Sequence, residues 1–233
     1  MADNAQQYCF CLTPDTLPAE DRARLAQRRA AFLKGARWQT GDQITIRFLD
    51  GDPALRKRVR DVASEWMKVA NLNFVFVDAP PTDIRIAFTQ GNGSWSYIGT
   101  TCRSIAEPLP TMNYGWLTPG SSDQVLRSVV LHEFGHAIGL IHEHQNPKHA
   151  IQWNKPAVIH DLSGPPNSWN EAQIETNMFR FYSLNEVDAT DVDPVSIMMY
   201  PVPKAWTLDG FFSGFNSELS DTDKTKAKNF YPR

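Results

Sequence analysis

Apolar residues alternate from Gln43 to Phe48, with Ile44, Ile46 and Phe48 facing one way, which is the pattern of a half-buried strand. After Asp52-Pro53 the period lengthens. Leu55, Val59, Val62, Trp66 and Val69 fall at helical spacing and predict an amphipathic helix running to about Ala70. Short apolar runs then predict strands over 72–77 and 83–88. Thr111–Leu117 predicts a further strand at the end of the glycine-punctuated stretch 90–117. Before all of these, a charged-faced segment from Ala19 to Ala36 follows Pro18 and reads as a helix. A second apolar helix is expected from the cap cluster Ser121-Ser122-Asp123 to about Ile138. Beyond residue 142 the composition shifts to Pro, Asn, Gly and Trp, as in Gly164-Pro165-Pro166-Asn167-Ser168-Trp169, and predicts a loop-rich region. Two helices are expected within it, 170–182 entered through Ser168 and 221–231 entered through Ser220.

At 233 residues and 42% hydrophobic content, the chain can bury one sizeable core and suits a single domain of two lobes. The expected division is an N-terminal extension over 1–18, an upper lobe over 19–142 and a lower lobe over 143–233. A net charge of -3 offers no general attraction to nucleic acid or anionic lipid. The run Arg56-Lys57-Arg58-Val59-Arg60 reads as a solvated helix face. Neither nucleic acid nor membrane is expected as a partner, and a monomer is expected. Cys9, Cys11 and Cys102 cannot all pair within one chain, and no hydrophobic leader is visible. Cytoplasmic residence, leaderless export and a leader already removed all remain open.

Candidate chemistry is concentrated in His132-Glu133-Phe134-Gly135-His136-Ala137-Ile138-Gly139-Leu140-Ile141-His142, an uninterrupted H-E-x-x-H-x-x-G-x-x-H. Two histidines four apart on a helix project from one face and can grip one metal ion. Gly139 can take a left-handed backbone, end the helix and let the chain aim His142 at the same ion. Three histidines leave a coordination position for water, the arrangement of a catalytic Zn2+ site, and Glu133 stands beside it as the base. A lone H-E-x-x-H arises often by chance; the lengthened form is far harder to reach accidentally.

These residues resemble the metzincin clan of zinc endopeptidases. Glu143-His144-Gln145 after the third histidine, Gly93-Ser94-Trp95-Ser96-Tyr97-Ile98-Gly99 and Ser196-Ile197-Met198-Met199-Tyr200 resemble blocks of the astacin family in their order. Leu219-Ser220-Asp221 with Phe230-Tyr231 resembles the closing helix shared by astacins and matrixins. The resemblance implies an α+β fold: a twisted sheet with backing and active-site helices above, and a loop-rich lower lobe with a Met-turn and a C-terminal helix. It implies a peptide or protein substrate bound extended along an edge strand within 90–117, with Trp95 and Tyr97 either lining that rim or serving the core. It makes Met198 the floor beneath the zinc histidines and Tyr200 the hydroxyl that stabilises the reacting carbonyl. A matrixin-like register would use Met199 as the floor. Ser94 stands where astacins carry cysteine. The resemblance also pairs Glu143 with an amino terminus freed by processing, a pairing this chain's long lead before the zinc helix puts in question.

Cys11-Leu12-Thr13-Pro14-Asp15 resembles the tail of the matrixin cysteine switch, which makes Cys11 a candidate latency residue or else a plain surface or core cysteine. Asp188, Asp191 and Asp193 offer oxygen ligands for Ca2+, or read more simply as a solvated acidic loop. The expected activity is zinc-dependent endopeptidase. A catalytically silent zinc-binding protein of the same fold is the rival reading, and a zinc hydrolase acting on other bonds is a third. The pocket for the side chain after the cut bond is expected from the segment between Gln145 and Trp206.

Overall fold

The computed structural model describes residues 8–12, 36–148, 151–183, 187–188 and 191–233. The helix expected over 19–36 lies outside them, apart from Ala36. Six strands form one sheet: β1 (Phe10–Leu12), β2 (Gln43–Phe48), β3 (Asn73–Phe76), β4 (Ile84–Ala87), β5 (Ser94–Tyr97) and β6 (Met112–Tyr114). Their order is β1-β5-β6-β4-β2-β3. Only the β5–β6 pair is antiparallel, with Trp95 opposite Asn113. The strand predicted over 43–48 is observed there, with Ile44 and Ile46 fully buried. β1 belongs to the stretch assigned to an N-terminal extension, yet it joins the sheet in parallel with β5, Cys11 opposite Ser96. It therefore lies along what would otherwise be the sheet's free edge.

The helix expected over 52–70 is two pieces, α1 (Pro53–Ala63) and α2 (Trp66–Val69). Asp52 caps α1 by accepting from the amides of Ala54 and Leu55. It ends at Ser64, whose amide and hydroxyl both donate to the Arg60 carbonyl, at 3.1 and 2.7 Å. The restart then lets the Trp66 indole donate to the Leu131 carbonyl at 3.0 Å. The basic run on α1 is largely engaged: Arg58 pairs with Asp123, Lys57 with Asp61, and Arg60 lies over Phe76.

The long helix α3 (Asp123–Ala137) packs against β5 and α1, its cap the expected Ser122. Three aromatic donors hold its C-terminal half. Besides Trp66, the Trp38 indole reaches the Ala137 carbonyl at 2.8 Å and the Tyr231 hydroxyl reaches that of Ile138 at 2.5 Å. The last two satisfy carbonyls that the helix end leaves without intrahelical partners.

In the lower region, α4 (Lys155–Ser163) was not anticipated. The helix expected from 170 to 182 is α5 (Glu171–Ile174) continued by a π-turn over Glu175–Phe179. Its cap is Asn170, through a reciprocal box with Gln173, and not Ser168, which sits at φ 50° outside the helix. α6 (Asp221–Phe230) starts at Ser220 as expected. One hydrophobic cluster runs from Ile44 and Ile86 in the sheet through Val130 and Phe134 of α3 to Met198, Trp206 and Tyr231. Among the described residues no helix is long and apolar enough to cross a membrane.

Candidate active site

The end of α3 builds the metal centre. The Gly139 amide donates to the His136 carbonyl at 2.8 Å and the Leu140 amide to the Gly135 carbonyl at 2.9 Å, the paired bonds of a Schellman cap. That cap needs a positive φ, and Gly139 has φ 104°. The chain then reverses and brings His142 back towards His132 and His136.

Ligand nitrogens of these three residues lie within 4.8 Å of one another, and all three are buried. His132 Nδ1 faces the Ile197 carbonyl at 2.8 Å and His136 Nδ1 faces the Leu140 carbonyl at 2.9 Å. A carbonyl only accepts, so both Nδ1 atoms carry the proton and both Nε2 atoms present bare lone pairs. His136 Nε2 is 3.1 Å from His142 Nε2, and His132 Nε2 is buried without a hydrogen-bond partner. Buried imidazole nitrogens that converge this closely are the donor arrangement of a metal site. An ion bound tetrahedrally at about 2.0–2.1 Å would separate such nitrogens by about 3.3 Å. The donor set therefore fits one Zn2+. Burial pulls His132 down to about 4 and, helped by the neighbouring imidazoles, His136 and His142 well below the usual histidine range. All three are thus neutral, the form that binds metal.

Glu133 is fully buried beside them. Burial pushes its carboxyl well above the usual range, and the thiol of Cys9 acts in the opposite direction. Neither carboxylate oxygen has another partner in hydrogen-bonding geometry. Tyr200 stands against the histidines, its ring centroid 4.3 Å from that of His142 and 5.8 Å from that of His132. His144 also stacks on Tyr200 at 4.6 Å, with its ring 5.1 Å from that of His142, and bonds through Nε2 to the Asn177 carbonyl at 2.7 Å. His144 is not among the converging metal-ligand nitrogens.

Of the two methionines, Met198 packs against Gly135 between the ligand histidines; a β-carbon there would sit well inside van der Waals distance of its sulfur. Met199 lines a cavity on the other side of His132. The loop carrying Met198 is held by Asp223 of α6, which accepts from the Ser196 hydroxyl at 2.6 Å and the Ile197 amide at 2.8 Å. Asp223 was not singled out in the sequence, although Ser220-x-x-Asp223 is a capping-box signature.

Glu143 pairs with Lys226 of α6 at 2.8 Å, both side chains nearly buried, and also accepts from Asn146 at 3.1 Å. An internal ammonium thus occupies the carboxylate that the resemblance gave to a freed amino terminus. Asp188 pairs with Arg37, and the Asp193 carboxylate accepts from the Val195 amide. Among the described residues, the three aspartates proposed for calcium do not converge as a ligand group.

The sequence offers Cys11 as a candidate latency residue or else as a plain surface or core cysteine. Its side chain lies outside the described part, and the cysteine brought to the centre is Cys9. Burial and the nearby Glu133 push the Cys9 thiol up, and the Cys9 carbonyl accepts a hydrogen bond from the Tyr200 hydroxyl. Its sulfur is not one of the converging ligand atoms. Nothing local marks Cys9; only the β1–β5 pairing carries it there. Trp95 and Tyr97 of β5 are both buried under that strand.

The family model of the astacin peptidases matches residues 32–201. Zinc metalloproteinase nas-30 of Caenorhabditis elegans is 26% identical over 158 residues, 66% of this chain. The chain spans only 20% of that relative's length. A structure of myroilysin is 41% identical with a TM-score of 0.83, covering 86% of this chain and 98% of its own. A crystal structure of myroilysin is 36% identical with a TM-score of 0.70, covering 99% and 93%. High choriolytic enzyme 1, a hatching enzyme zinc-protease of the medaka Oryzias latipes, is 15% identical with a TM-score of 0.52. It covers 84% of this chain and 94% of its own, a likeness of fold alone.

Proposed function

This chain belongs to the astacin family of peptidases, and on that premise we propose that it is a zinc endopeptidase whose cleft is covered, in this form, by its own residues 8–12. His132, His136 and His142 would hold one zinc ion, which supplies Lewis acidity and a water of lowered pKa. Glu133 would take a proton from the attacking water as that water's oxygen adds to the peptide carbonyl carbon. The Tyr200 hydroxyl donates to the carbonyl oxygen as negative charge develops there. Glu133 then delivers its proton to the amide nitrogen, the C–N bond breaks, and a carboxylic acid and an amine leave without a covalent enzyme intermediate. Met198 supports the histidines from below, packed on Gly135.

One observation carries the reading: Tyr200 already donates to a backbone carbonyl, that of Cys9, immediately before the strand β1 that lies against β5. A substrate carbonyl is the same chemical group, and an extended peptide would use the same free edge. The covering strand occupies both catalytic groups at once, its carbonyl on Tyr200 and its thiol against Glu133. This is latency by occupation of base and oxyanion donor, with Cys9 in the part first assigned to Cys11. No observation favours a catalytically silent protein, since all these groups are present and converge.

The test is hydrolysis of casein and a quenched peptide mixture by the zinc-loaded chain, before and after a site-specific protease cuts it between residues 13 and 35. Cleavage that a chelator abolishes is the expected result. Absence of any peptide hydrolysis in both forms would sink the proposal.

A further inference from the structure

We infer that the residue following the cut bond must be a large apolar or aromatic one, because the cavity beside the metal centre is roomy and carries no charge among its described lining residues. The inference rests on the peptidase reading above. Val125, Ser128, Val129 and His132 fall at i, i+3, i+4 and i+7, so one face of α3 leads from the metal ligand straight along the cavity wall. Met199, Pro201 and Phe215 form the facing wall. The expectation that the segment Gln145–Trp206 builds this pocket is therefore half of the account, and the zinc helix supplies the rest.

The cavity holds about 370 Å³, within the range of sites that enclose drug-sized ligands. No Lys, Arg, Asp or Glu lies among its described lining residues; the polar members are neutral, Gln124, Ser128 and Asn216. Asn216 spends its amide hydrogens on the carbonyls of Pro194 and Ser196. A charged side chain entering here would lose its water and meet no counter-ion, which is strongly unfavourable. An aromatic or large aliphatic side chain would exchange water for Val129, Met199 and Trp116. In the covered form the Tyr8 ring completes this wall, packs on Tyr200 and Trp206, and donates its hydroxyl to the Pro201 carbonyl at 3.0 Å.

The experiment digests a peptide library of balanced composition with the zinc-loaded full chain cut between residues 13 and 35, and maps cut sites by mass spectrometry. Phe, Tyr, Leu and Met should be favoured after the cut bond over Asp, Glu, Lys and Arg by about ten- to two-hundredfold, the range of discrimination available to such pockets. Ser128→Arg, on a half-buried helix position, places a cation at the wall and should move the preference towards Asp and Glu. Cleavage with no bias at that position, or with a bias for charged residues in the unaltered chain, overturns the inference while leaving the peptidase standing. An unchanged preference in Ser128→Arg overturns the assignment of this cavity. No cleavage of any library member overturns the peptidase reading itself.

Discussion

Glu133→Gln should lower peptide hydrolysis by about a hundred- to ten-thousandfold, the usual contribution of a positioned base, while the protein still binds one zinc ion. The same substitution should raise the melting temperature of the metal-free chain. A carboxylate buried completely, with the Cys9 thiol as its neighbour and no hydrogen-bond donor in normal geometry, destabilises the fold it sits in. The amide keeps its volume and removes its charge. A drop in activity joined to a gain in stability is the signature of a group kept for chemistry rather than for packing. Hydrolysis within a fewfold of the unaltered chain would take the base away from Glu133. A fall in activity accompanied by zinc loss would show that the substitution had disturbed the histidines instead.

Cutting the chain between residues 13 and 35 and washing out the freed segment should raise hydrolysis on the order of a hundredfold. That corresponds to about 2.7 kcal/mol in favour of the covered form. The β1 ladder, the Tyr200–Cys9 bond and the Tyr8 contacts all leave together with the segment. Cys9→Ser in the uncut chain should give a partial rise only, because it alters the group against Glu133 but keeps the carbonyl on Tyr200. Equal activity before and after the cut, measured as initial rates on one quenched peptide, would mean that the strand does not limit access. A Cys9→Ser chain as active as the cut one would move the whole of the latency to the thiol.

The metal centre was legible because its determinants are local. Helical spacing places His132 and His136, and Gly139 supplies the left-handed cap that returns His142, so a stretch of eleven residues encodes most of the geometry. Strand β2 and the caps at Ser122 and Ser220 were legible for the same reason. What was missed depends on partners distant in the chain. β1 is three residues long with no alternation to mark it, and it exists through its pairing with β5, more than eighty positions on. Cys9 is catalytically placed only through that pairing, while the C-x-x-P-D pattern drew attention two residues downstream to Cys11. The break in the helix after Ala63 falls at Ser64, and an apolar period that continues through Trp66 does not mark it. Helix α4 was obscured by the surrounding Pro and Asn, although a proline at the start of a helix is compatible with it. Asn170 outcompeted Ser168 as a cap because Gln173 could reciprocate.

The lower region also shows how a loop-rich segment can still hold a site still. Glu143 donates its amide to the Met198 carbonyl and its carboxylate pairs with Lys226. Asp223, three residues before Lys226 on the same helix, grips the other end of the Met198 loop. α6 thus fastens both the third histidine's neighbour and the loop whose Met198 packs against Gly135. A buried pair of this kind is costly to break from one side, so its worth lies in fixing one arrangement.

The central claim is a zinc ion held by three imidazoles with one position left for water. X-ray absorption at the zinc edge of the cut chain tests it most directly. The account predicts three imidazole nitrogens and a single light, exchangeable ligand; a zinc ion enclosed by four protein side chains, or imidazole signatures that persist unchanged after His142→Ala, would contradict it.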